Sequence, residues 1–117
     1  MAESIAYKKA FQLAIKIVRY CTWLKKEQKE FELAHQLLKS GTSVGANLAE
    51  AKGAISKADF SNKVSISYKE TLETKFWLEL LHEVGLIEEE LFQELFNDSD
   101  EIARILFSIL KSTRLKQ

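Results

Sequence analysis

No proline interrupts the chain anywhere in its 117 residues, and glycine occurs only four times. Proline costs a helix interior about 3 kcal/mol and glycine about 1 kcal/mol relative to alanine. With both breakers scarce, and apolar residues recurring every three or four positions, the chain is restricted to long helices. Four are expected, over Ser4–Lys26, Gln28–Gly53, Lys57–Val84 and Ile87–Thr113. At 1.5 Å per residue these are rods of roughly 35 to 40 Å. Short connections make neighbours antiparallel, so the fold class is an all-α, up-down-up-down four-helix bundle in one domain.

The helix ends carry unequal signals. Gly53, Ser56 and Asp59 read as a C-cap followed by an N-cap with its partner at the third helical position. Between the first two helices, Lys25-Lys26-Glu27-Gln28-Lys29-Glu30 has neither glycine nor proline, so that turn is inferred from charge alone. Asn97-Asp98-Ser99-Asp100 is polar enough to break the fourth helix, yet the apolar phase continues on both sides, which argues for one helix. Its early Glu88, Glu89 and Glu90 and late Lys111, Arg114 and Lys116 suit the helix dipole.

The first helix is apolar over more than half its circumference. Lys8, Gln12, Lys16, Arg19, Thr22 and Lys26 form one narrow polar stripe among Tyr7, Phe11, Leu13, Ile15, Ile17, Val18, Tyr20, Trp23 and Leu24. A helix covering a single core needs one apolar stripe. The excess points to a second packing partner and therefore to a homo-oligomer.

Charge gives no direction, since seventeen basic residues balance seventeen acidic ones. Cys21, the only cysteine, can form neither an internal disulfide nor a cysteine-based metal site, and it sits in the apolar pattern as a small core residue. No apolar run approaches the roughly 20 residues that span a bilayer. No secretory signal is visible, so the expected setting is cytoplasmic.

Small and polar residues are concentrated between Lys39 and Ala51. Ser40, Ser43, Asn47 and Glu50 stand among Gly41, Gly45, Ala46, Ala49 and Ala51. Folding the second and third helices about Ala54 and Ile55 places Ser43 near Ser67, Asn47 near Lys63, and Ser40 near Glu70 and Thr71. With Glu50 and Glu73 these residues form a polar seam between two helices. Serine and asparagine without a histidine in the same layer lack an activated nucleophile. The seam is therefore expected to set helix register rather than to catalyse.

At these positions the chain resembles a known family. Glu30-Phe-x-Leu33, Gln36, Lys39-Ser40, Ser43, Asn47, Glu50-Ala51, Ser56-Lys57-x-Asp59-Phe60, Lys63, Lys69-Glu70, Glu73-Thr74 and Trp77-Leu78 look like the four-helix bundle proteins encoded by 23S ribosomal RNA intervening sequences. The accessory variability proteins of diversity-generating retroelements are similar. The resemblance implies a bacterial, cytoplasmic bundle that assembles as a ring-like homopentamer. Its retroelement branch implies binding to a reverse transcriptase and to nucleic acid.

Two other constellations carry chemistry. Glu32-x-x-His35 and Glu79-x-x-His82 reproduce half of a di-iron carboxylate pattern. The other half needs a glutamate from each remaining helix, and the first has no acid between Ser4 and Lys26. No metal, cofactor or catalytic residue is expected. Lys8, Lys9, Lys16, Arg19, Lys25 and Lys26 form a basic stripe with no acid interposed, a candidate contact for RNA or DNA phosphates. The expected role is that of a non-catalytic accessory protein contacting nucleic acid or a nucleic-acid enzyme. The alternative is an interaction scaffold that binds protein only, and a third reading is a metal-binding bundle that uses the Glu-x-x-His motifs.

Overall fold

The computed structural model describes residues 2–115, in four helices: α1 (Ala2–Gln28), α2 (Phe31–Lys52), α3 (Lys57–Glu83) and α4 (Glu89–Leu115). Lys116 and the Arg114 side chain, expected to complement the helix dipole, lie outside what is described. Each helix packs on its neighbours in the cycle α1–α2–α3–α4, while the diagonal pairs α1/α3 and α2/α4 make no Cα approach within 8 Å. Partners recede along one helix as they advance along the next. Lys9 reaches Glu101 and Lys16 reaches Asp98, while Tyr68 meets Phe107 and His82 meets Phe92. In the same way Gly41 and Gly45 of α2 face Ile17 and Ala10 of α1, and Ser40 and Val44 of α2 face Thr74 and Ser67 of α3. All four neighbouring pairs are therefore antiparallel, in a bundle of 47 × 21 × 19 Å. No helix among the described residues is long and apolar enough to cross a membrane.

The turns show why these residues end helices where they do. Lys29 takes φ 57°, the left-handed conformation that reverses the chain between α1 and α2 without glycine. The first turn of α2 has no side-chain cap, which is why the sequence marks this boundary so weakly. Ser56 caps α3, its hydroxyl accepting from the Asp59 N–H at 3.0 Å, while the Asp59 carboxylate accepts from the Ile55 N–H at 3.2 Å. Gly53 follows α2 as expected, but at φ −98° it uses no left-handed freedom. That freedom is used by Gly85, at φ 78°. There the Leu86 N–H bonds the Leu81 carbonyl at 2.9 Å and the Gly85 N–H bonds that of His82 at 3.1 Å, a Schellman closure of α3.

Large aliphatic side chains from every helix meet in the centre. Leu13, Ile17 and Leu24 come from α1, Leu37 and Val44 from α2, Val64, Leu78 and Leu81 from α3, and Leu95, Ile102 and Leu106 from α4. The polar run Asn97–Asp100 is continuous helix. Ser99, fully buried, donates to the Leu95 carbonyl one turn back at 2.8 Å, so its hydroxyl enters the core already bonded.

Candidate functional site

Ser40, Ser67, Thr71 and Thr74 are the buried hydroxyl residues of α2 and α3. Two hydrogen bonds cross between these helices in the interior. Ser67 Oγ donates to the Val44 carbonyl at 2.8 Å, and Thr74 Oγ1 lies 3.0 Å from Ser40 Oγ. The remaining polar groups bond within their own helices: Thr71 to the Ser67 carbonyl, Thr74 to the Glu70 carbonyl and Asn47 Nδ2 to the Ser43 carbonyl. Among the described residues, every buried side-chain nitrogen and oxygen has a partner.

The polar seam thus exists, but its register differs from equal counting about the turn. Ser40 meets Thr74 rather than Glu70 and Thr71, one helical turn further along α3. Lys63 Nζ bonds Glu50 at the protein surface rather than Asn47. Thr74, rather than Thr71, therefore completes the pair with Ser40. Ser43 is half-buried and contributes its carbonyl to Asn47, while Ser67 bonds the Val44 carbonyl instead. Glu73 is exposed and accepts from Trp77 Nε1 at 3.2 Å. Partial burial pushes the Glu70 carboxyl above its usual range, and the negative charge of Glu73 adds to this, against a smaller opposing effect of Lys39.

Gly41 and Gly45 serve the adjacent side of α2, which faces α1. A Cβ on Gly41 would stand 2.5 Å from Ile17 Cδ1, and one on Gly45 would meet Ala10 Cβ at 3.6 Å. The small residues therefore admit α1 close against α2, while the hydroxyls tie α2 to α3. One stretch of sequence serves two interfaces.

The basic stripe divides in two. Lys9 pairs with Glu101 at 3.2 Å, and Lys16 reaches both Glu94 and Asp98 at 2.8 Å, all within the same chain. The hydrogen bonds to Asp98 and Glu94 hold the Lys16 ammonium above its usual pKa. No ion pair among the described residues engages Lys8, Arg19, Lys25 or Lys26. Lys8, Arg19 and Lys26 are exposed and Lys25 is half-buried; Ile5, Phe11, Val18 and Trp23 of the same helix also remain exposed, Phe11 at 51 % and Trp23 at 44 %. A groove of about 520 Å³ runs beside it, lined by Lys16, Arg19, Tyr20, Trp23, Glu88 and Leu91. At its back, the Tyr20 hydroxyl donates to the Leu86 carbonyl at 2.7 Å.

The two Glu-x-x-His motifs do not converge on an ion site. Glu32, His35 and Glu79 are exposed, and among the described residues no group of three or more potential ligands could hold a metal ion. His82 instead clamps the α3–α4 turn. Its ring stacks on Phe92 at 4.0 Å between centroids, and its Nε2 lies 2.8 Å from Glu89 Oε1. Burial pushes the Cys21 thiol up to about 12, which keeps it protonated and unreactive at neutral pH.

Sequence reading did not anticipate Asp98 and Asp100. Asp98 accepts from Lys16 of α1, and Asp100 accepts from Lys75 of α3 at 2.8 Å and from Arg104 at 2.9 Å. The signal was present, because acids two residues apart on a helix point about 200° apart and can address both flanking helices.

The family model described as 23S rRNA-intervening sequence protein matches residues 2–108. Among solved structures, the chain is similar to a protein of unknown function from the S23 ribosomal protein family of Bacteroides thetaiotaomicron VPI-5482. The two share 45% sequence identity over 95% of this chain and 99% of that chain, with a TM-score of 0.92. No curated protein matches.

Proposed function

The chain belongs to the 23S rRNA-intervening sequence protein family, and from that premise we propose that it is a non-catalytic assembly protein whose unit of action is a homo-oligomer. The observation that carries this reading is the outer face of α1. A helix with seven residues in the core still leaves Ile5, Phe11, Val18 and Trp23 at the surface. Several large apolar side chains left exposed on one helix of a small bundle mark that face as a candidate interaction site. The polar seam supports a structural role, because its hydroxyls are committed to backbone carbonyls and to each other. Resemblance to the family's ring-forming members gives the pentamer as the proposed oligomer. Mass measured by light scattering across a concentration series tests the reading. A multiple of 13.4 kDa is expected, and a persistent monomer overturns it.

A second reading rests on Lys8, Arg19, Lys25 and Lys26, which are not used by the fold. Repeated around an oligomer, they form a basic band able to hold RNA or DNA, alone or beside a nucleic-acid enzyme such as a reverse transcriptase. Binding that weakens steeply between 50 and about 200 mM salt is the expected signature. Salt-insensitive or absent binding leaves the protein scaffold as the function.

A further inference from the structure

We infer that the outer face of α1 in one copy docks on the outer face of α3 in the next copy, a conclusion that rests on the homo-oligomer reading above. Two patches of unlike composition lie on helices at opposite corners of the bundle. On α1, Phe11 and Trp23 flank the unengaged cations Arg19 and Lys26. On α3, Leu72 and Phe76 are exposed, Phe76 at 56 %, beside Glu79 and Glu83. No ion pair among the described residues engages either acid. Basic aromatic surface and acidic aromatic surface are complementary, and neither complements itself.

Their heights along the bundle also agree. Lys16 of α1 and Lys75 of α3 reach Asp98 and Asp100, two residues apart on α4, so Lys16 lies level with the stretch from Lys75 to Trp77. Because α1 and α3 run in the same direction, Phe11 and the half-buried Ile15 then lie level with Leu72 and Phe76. Arg19 stands level with Glu79, and Lys26 lies within a turn of Glu83. A rotation about an axis parallel to the bundle preserves height, so it brings these pairs together in neighbouring copies. Lys8, level with Lys69, falls outside the matched stretch. A contact between two different faces is heterologous, and it propagates from copy to copy until the ring closes.

The test uses two complementary variants of the full chain. One carries Phe11→Ser and Arg19→Glu, the other Phe76→Ser and Glu79→Lys; all four side chains are exposed within a subunit, and circular dichroism checks that both variants fold. Each variant alone is expected at 13.4 kDa, and an equimolar mixture at twice that mass, because one intact face of each remains to pair with the other. Variants that each assemble like the wild type would overturn the proposed faces while leaving the homo-oligomer intact. A dimer of either variant alone would mean like-on-like packing and overturn it too, as would a mixture that stays monomeric. A monomeric wild type would remove the oligomer reading itself and leave these faces to a different protein.

Discussion

Thr74 Oγ1 of α3 stands 3.0 Å from Ser40 Oγ of α2, and both side chains are buried. Two hydroxyl protons serve this pair and two backbone carbonyls, those of Glu70 at 2.8 Å and Leu37 at 3.3 Å. Removing one hydroxyl takes the shared hydrogen bond from the other but leaves it its backbone carbonyl, at a cost of about 0.5 to 1.5 kcal/mol. Ser40→Ala and Thr74→Val are each expected to destabilise by that amount. The double variant should cost less than their sum, because the one hydrogen bond that the two share is lost in either single variant and can be lost only once. Urea unfolding at one fixed protein concentration measures the coupling; strict additivity would mean that the two hydroxyls do not act as a pair.

Gly41 and Gly45 should respond oppositely to alanine. At Gly41 the new Cβ meets Ile17 Cδ1 at 2.5 Å in the core, and overpacking of this kind costs about 1 to 3 kcal/mol. Ile17→Val removes that methyl group and should recover part of the loss. At Gly45 the nearest atom is at 3.6 Å, so alanine fits and gains up to about 1 kcal/mol of helix preference. Thermal denaturation of the three variants decides it; equal losses at both glycines would contradict the geometry.

The Cys21 thiol, buried and raised to about 12, should resist a thiol reagent at pH 8 in the native state. One equivalent should react promptly in denaturant. Rapid native labelling would place Cys21 at the surface.

Acid and base should act on the two sides of α4 separately. The Lys75 hydrogen bond, with smaller help from Arg104, holds the Asp100 carboxyl below its usual range. Its contribution is present above the unfolded pKa of about 3.9 and is lost as pH falls through the lower folded value. Lys16 is shifted upward by Asp98 and Glu94, so its contribution is present below the unfolded pKa of about 10.4 and is lost as pH rises through the higher folded value. Urea midpoints followed across pH should fall less steeply at the acid end in Asp100→Asn, and less steeply at the alkaline end in Lys16→Met. Unchanged slopes in both variants would remove these groups from the pH dependence.

Helix number and the α2–α3 boundary were legible because Gly53, Ser56 and Asp59 act through local backbone chemistry. The turn at Lys29 was not, since a lysine in the left-handed conformation carries no glycine or asparagine to announce it. The seam's membership could be read from residue type, but its register could not. Equal counting assumes that two helices begin at the same height, whereas here the first turn of α3 overhangs the end of α2. Basic residues along α1 look alike in sequence; only the position of α4 separates Lys9 and Lys16, which it engages, from Lys8 and Arg19, which it does not.

The α1–α4 seam has a kinetic consequence. Three of the four helix interfaces join sequence neighbours, whereas the α1–α4 interface joins residues such as Lys16 and Asp98, 82 apart, so this interface closes the longest loop. Closing a loop of that length costs chain entropy before the contact returns anything. The first and last helices should therefore dock late, after the folding barrier is crossed. Interactions made after the barrier govern how fast a protein opens rather than how fast it forms. Replacing Lys16 is expected to accelerate unfolding in stopped-flow measurements while leaving the refolding rate nearly unchanged. The ion pairs on α4 would then act as a latch on the lifetime of the closed bundle.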